Sequence, residues 1–395
     1  MVSSKRLHAG WLGPLGLALA LAACGLPVEA PSQIPAEIQQ APGRSAPELW
    51  FSDYGSGLRV ARWSHTADVI GRWVYVVGGA DLDGQMASVE RAPILDGGDL
   101  GAFQMVGARL QTPRDCHASL VIGSWLYVFG GDQQGSLDSI ERAPITGGDL
   151  GRFQAVSTRL TTARDEHTAT RIGNYVYVIG GIRGPVQLNS IERAEVRPDG
   201  SLGPFTRYRH SLTANRYGHW VVVNGDSLYV AGGLSDNGNA GVVERAKIGS
   251  DGELGPFERL GSVLRERRDS PIAIGLDGWL YVIAGAREHA MHIKLASIEA
   301  APFTGGGGLG SFVSAGSLRE GRDYHTVTRI GGWIYVIAGE KTNGGALSSI
   351  ERARVPSAGP APRRTPDPRA DVGTGYSSGY GSGWGRDGGS WDEGW

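Results

Sequence analysis

One phrase recurs six times along this 395-residue chain and constrains its fold more than any other feature. It is an apolar run of the type Ile-Gly-x-Trp-Val-Tyr-Val-Val closed by two small residues. The closing pairs are Gly78-Gly79, Gly130-Gly131, Gly180-Gly181, Gly232-Gly233, Ala284-Gly285 and Ala338-Gly339. Their first members stand 52, 50, 52, 52 and 54 residues apart. A fixed period of this length means that one structural unit is repeated, and that each unit buries its apolar faces only against its neighbours.

Other positions keep the same register. A tyrosine precedes each pair: Tyr75, Tyr127, Tyr177, Tyr229, Tyr281 and Tyr335. A Ser-Ile-Glu-Arg-type phrase follows, with its acids at Glu90, Glu141, Glu192, Glu244, Glu299 and Glu351. Five repeats then carry Leu-Gly-x-Phe, ending at Phe103, Phe153, Phe205, Phe257 and Phe312. Each unit divides into four short strands. The second is apolar at nearly every position, which predicts burial on both faces between neighbouring sheets. The glycine pair marks a sharp turn with crowded backbone. Turn signals such as Gly97-Gly98-Asp99 separate strands three and four.

Four strands per unit at about 50 residues resembles the kelch repeat, whose units are propeller blades. The resemblance covers 46–355 and implies an all-β, six-bladed kelch β-propeller of four-stranded antiparallel blades. Two departures are Ala after Glu-Arg, where Tyr is common in kelch repeats, and Phe in place of Trp in strand four. The sixth repeat stops at Val355 without its Leu-Gly-x-Phe strand. Phe51 lies 11 residues before Arg62, as Phe103 does before Arg114. The segment around Leu49-Trp50-Phe51 is therefore expected to supply the outer strand of the last blade, closing the ring without a free edge.

The ends of the chain read differently. Lys5 and Arg6 precede an apolar stretch too short to span a membrane comfortably, ending Leu21-Ala22-Ala23-Cys24. This resembles the lipobox of bacterial lipoproteins, which implies a signal peptide over 1–23 and a lipid on the Cys24 thiol. Gly25, not Asp, follows the cysteine, which by resemblance favours an outer membrane where the cell has one. A Pro- and Ala-rich tether over 24–45 would hold the folded part away from the bilayer. Residues 356–395 are rich in Gly, Tyr and Trp and read as a disordered tail. The expected location is a bacterial cell envelope.

Charge and composition exclude several functions. Lys and Arg number 38 against 40 Asp and Glu, a net of −2, which argues against nucleic acid as a partner. Two cysteines exclude a disulfide scaffold and a cysteine-rich zinc module. No phosphate loop, nucleophile elbow or zinc helix motif occurs, so no cofactor and no metal is expected.

Candidate binding residues gather in the loops that open on one face. Arg62, Arg114, Arg164, Arg216, Arg268 and Arg322 recur at one position, and Asp follows four of them. They read either as a cationic ring for carboxylate or phosphate, or as scaffold, each paired with its Asp or a strand-three Glu. His65, His117, His167, His219 and His325 share the next repeated position, with Pro271 as the sixth. Such a ring is too wide for one ion, and a hydrogen bond within each blade is the simpler expectation. Trp63, Cys116, Glu166, Tyr217 and Tyr324 break the symmetry beside the arginines, and Trp63, Tyr217 and Tyr324 with the arginines form the expected ligand-binding set. In blade five, His289 and His292 beside Glu288 have no third ligand in view.

Six-bladed propellers include sialidases, whose Ser-x-Asp-x-Gly-x-Thr-Trp boxes are absent here. A six-bladed kelch relative in kind is the periplasmic sialic acid mutarotase, which needs only acid–base groups near a sugar ring. No catalytic residue is singled out, so binding is favoured over catalysis and the enzyme question stays open. The expected function is a lipid-anchored envelope module binding a protein or glycan through the loop face. The alternative is a mutarotase or epimerase acting on an acidic sugar.

Overall fold

The computed structural model describes residues 45–235, 238–239, 241–287 and 293–356. The signal segment, Cys24, the tether up to residue 44, the blade-five stretch 288–292 and the tail from residue 357 lie outside the described residues.

Six sheets, each built on four main strands, form the blades of a propeller. Blade one runs Thr66–Ile70, Trp73–Val77, Ser88–Pro93 and Gln104–Arg109, each antiparallel to the next. The first strands of neighbouring blades touch all the way round, so they line the centre. Among the described residues there is no α-helix, only short 3-10 turns such as Asp96–Gly98.

The hydrophobic core is divided between the blades. Val74 and Val76 of blade one pack against Tyr335 and Ile337 of blade six. From the other face of the same strand, Tyr75 and Val77 pack against Leu126 and Val128 of blade two. Alternation along one strand thus feeds two cores, which is why every second strand reads as continuously apolar.

Each strand-two tyrosine also fastens its blade to the next. Tyr127, Tyr177 and Tyr335 donate their hydroxyls to the carbonyls of Gly200, Gly252 and Gly98 at 3.0, 2.9 and 2.8 Å. These acceptors sit in the hairpins between strands three and four of the following blade. Blade six has no such hairpin, and Tyr281 of blade five donates instead to the Pro47 carbonyl at 2.8 Å.

The N-terminal segment closes the ring, but a few residues later than expected. The outer strand of blade six is Ser52–Gly57, paired antiparallel with Ala346–Arg354 through Ser52 to Arg352 and Asp53 to Glu351. Leu49–Trp50 lies parallel to Val313–Ser317 and adds a strand to the edge of blade five. The reason is Phe51. Its ring turns into the core between blades five and six, as Phe103 turns inward just before the outer strand of blade one. The phenylalanine therefore precedes the strand and does not sit within it.

Candidate functional site

The six repeated arginines do not form an open cationic ring, because each is wholly taken up by its own blade. All six are at most 1% exposed. Arg62 donates from Nη1 to the Gly78 carbonyl at 2.7 Å and from Nη2 to Glu90 Oε1 at 2.8 Å. The backbone N–H groups of Arg59 and Val60 complete the Glu90 carboxylate. Arg114–Glu141, Arg164–Glu192, Arg268–Glu299 and Arg322–Glu351 repeat the pair at 2.6–2.7 Å, and Arg216 meets Glu244 likewise. Burial pulls the Arg62 guanidinium down and Glu90 pushes it back up. The arginine carbonyl has a second task. Gly79 N–H donates to Arg114 O at 3.0 Å, and Gly339 N–H to Arg62 O at 3.0 Å, so this bond runs from each blade to the next and across the closure. A Cβ on Gly131 would lie 2.5 Å from the Asp115 carbonyl, and one on Gly130 2.5 Å from the Arg164 carbonyl, which explains the glycine pair.

Three of the five histidines join blades instead of bonding within them. His65, His117 and His219 each place Nε2 3.2 Å from a threonine hydroxyl of the preceding blade, on Thr326, Thr66 and Thr168. Burial drives the imidazoles of His117, His219 and His325 down to about 3, with the neighbouring arginine adding to it.

The second residues after the arginines make a ring of their own. Ser64, Cys116, Glu166, Gly218, Ser270 and Tyr324 all have φ between 52° and 61°. Around the ring, Cys116 N–H donates to Ser64 O, Glu166 to Cys116, Gly218 to Glu166 and Ser270 to Gly218, each at 3.1 Å, and Ser64 donates to Tyr324 O at 2.9 Å. Five non-glycine residues in the left-handed region cost about 1 kcal/mol each or more. Nothing in their residue types signals this geometry.

With the arginines withdrawn, the mouth is acidic. Asp115, Asp165, Asp269, Asp323 and Glu166 are buried there and influence one another's ionisation and that of Tyr217 and Tyr324. Burial raises the Tyr324 hydroxyl well above its ordinary value, and Asp269 and Glu166, from blades five and three, add to the effect. Burial, reinforced by Asp132 and Asp165, pushes the Asp115 carboxyl up to about 8. Burial raises Asp165 to about 7 despite a hydrogen bond from Ser136. Of the expected aromatics, Trp63 and Tyr324 are buried together against Ala80, and Tyr217 is half-buried. Cys116 is buried.

One cation interrupts the acidic mouth, and residue-type arguments missed it. Lys294, just after the long loop of blade five, donates from Nζ to Asp323 Oδ2 at 2.6 Å and Glu340 Oε2 at 2.5 Å. The ammonium also lies 5.4 Å from the centre of the Tyr324 ring. Burial opposes its charge, but the two carboxylates outweigh burial and raise its pKa. The signal for it was positional. Lys294 precedes Leu295 as Gln85 precedes Met86, and both apolar residues return an N–H to the second member of their small-residue pair at 2.7 Å.

A family model described as the Kelch motif matches residues 163–193, which span Arg164, Tyr177, the Gly180-Gly181 pair and Glu192. Among curated proteins, no sequence matches the chain. Among solved structures 519 chains match, so this architecture is widely shared and does not select an activity by itself. One of them, titled "Structure of YjhT", has a TM-score of 0.59 and 15% identity, covering 74% of this chain and 95% of that one. The likeness is one of fold.

Proposed function

We propose that this protein is a non-enzymatic recognition module of a bacterial envelope, anchored by lipid on Cys24, that binds a glycan or protein partner through the loop face of its propeller. One observation supports the reading most: carboxyl groups and aromatic rings gather at the mouth, most of them buried, while the side chains of the six arginines that would grasp an acid are tied to glutamates within the blades. Such a surface accepts hydrogen bonds. It suits partners rich in donors, such as hydroxyl, amide or ammonium groups. The acidic-sugar mutarotase reading gains nothing from this charge distribution, and a shared fold at 15% identity does not carry an activity across.

The test is thermal unfolding of the full chain against neutral, amino and acidic sugars and against basic and acidic peptides. A ligand at a hundredfold excess over its Kd adds about 2.7 kcal/mol. Stabilisation by a neutral or basic ligand, lost on Asp165→Asn or Glu166→Gln substitution, supports the reading. Stabilisation by acidic sugars alone overturns it.

A further inference from the structure

Blades two and six carry the same pair of acids at the mouth. One acid follows the repeated arginine and the other follows the small-residue pair. In blade six these are Asp323 and Glu340, opposite each other in the strand ladder. In blade two they are Asp115 and Asp132, joined by the equivalent backbone bridge. Each pair is reached by one side chain from the preceding blade. For blade six that side chain is Lys294, whose ammonium bonds both acids. For blade two it is Gln85, whose amide donates to Asp132 Oδ2 at 3.4 Å and brings no charge. Asp115 is only 8% exposed; Gln85 also bonds its carboxylate, and its Oδ1 has no hydrogen-bond partner. The charge of Asp165 also disfavours ionisation of Asp115. Among the described residues no three acid, histidine or cysteine side chains are grouped to hold a metal ion. Blade six thus displays, inside the same molecule, the group that this pair of acids accommodates.

We propose that the Asp115–Asp132 pair of blade two is a binding site for a primary ammonium group of the ligand, taken as blade six takes the ammonium of Lys294. The proposal rests on the mouth being a recognition site and names the chemistry that it recognises. A compact ammonium has three donors on one atom and fits between two carboxylates, whereas a guanidinium is a broad planar fork. A nearby cation also favours the charged form of a carboxyl that burial and Asp132 otherwise disfavour. Two sources offer this group: a lysine side chain of a protein partner and an amino sugar of a glycan.

The experiment follows the aspartate carboxyl carbon signals of the full chain by NMR at neutral pH. The probes are methylammonium, tetramethylammonium, Nα-acetyl-lysine amide and glucosamine, with the N-acetylated lysine and sugar as uncharged controls. Saturable shifts with methylammonium and with the lysine or sugar probe, absent with tetramethylammonium and the controls, are expected. The tighter of the last two probes identifies the source. Gln85→Lys copies blade six into blade two and is expected to weaken binding about tenfold or more. Asp132→Asn is expected to do the same and serves where Gln85→Lys does not fold. No saturation by any primary ammonium, equal binding of the uncharged controls, or unchanged binding in the folded variants overturns the proposal. In that event a ligand found by the unfolding panel would still leave the broader recognition reading standing.

Discussion

His117 places Nε2 3.2 Å from the Thr66 hydroxyl of the preceding blade, as His65 and His219 do with Thr326 and Thr168, and for His167 the equivalent residue of the preceding blade is Ala118. The Nε2 atom of His167 is buried without a partner, and so is that of His325, for which the equivalent residue of the preceding blade is Ile272. The blade-to-blade contact is therefore made with a hydroxyl where threonine is present and without one where it is not.

Ala118→Thr should supply the missing bond. Blades one, three and six already house threonine at this position, so the added atoms have a precedent in the same fold. A gain of about 1 kcal/mol is expected, read as a raised midpoint in denaturant unfolding. A lower midpoint would show that blade two is packed too tightly to accept the side chain.

The buried arginine pairs should behave as scaffold. Arg164→Ala leaves Glu192 uncompensated and strands the Gly180 carbonyl, at a cost of roughly 3–5 kcal/mol. Circular dichroism melts would show the loss, and it should be similar for Arg114→Ala and Arg268→Ala. A variant that kept its stability but lost ligand binding would return that arginine to the ligand-binding set.

Stability should peak near neutral pH. The histidines are held neutral, with folded values near 3 for His117, His219 and His325 against an ordinary value of 6.5. Their contribution is complete above pH 6.5 and is lost as pH falls towards 3. Asp115 and Asp165 titrate the other way, at about 8 and about 7 against an ordinary 3.8. Their contribution is complete below 3.8 and is lost as pH rises through 7 and 8. Asp115→Asn with Asp165→Asn should remove a fall of the order of 1 kcal/mol per pH unit per group that begins at 3.8, flattening the limb above pH 6.5 and steepening the limb below it. Unfolding midpoints across pH in both proteins decide the matter.

Cys24→Ser should release the protein from the membrane fraction and abolish labelling by a radioactive fatty acid. A lipid-labelled Cys24→Ser protein would rule out attachment at that thiol.

Much of the fold was legible because a repeat states its period openly. The apolar second strand, the glycine pair and the need for an N-terminal closing strand all followed from spacing. The closing strand was placed slightly early because a buried phenylalanine looks like a strand residue until its direction is known. The site was less legible. Spacing shows that six arginines are equivalent, but not whether they point outward to the mouth or inward to a glutamate. The left-handed ring of Ser64, Cys116, Glu166, Ser270 and Tyr324 left no trace in residue type, since glycine marks only one of its six places. Lys294 escaped notice because it follows the most irregular loop, where the register with Gln85 is set by a backbone bond.

The closure through Pro47, Leu49 and Ser52–Gly57 also sets an order of events in the cell. The stretch that leaves the ribosome first among the folded residues has to wait for the stretch that leaves last. Strand partners some 300 positions apart in sequence, such as Asp53 and Glu351, meet only after every intervening blade exists. Until then the leading segment has no strand to pair with in blade six.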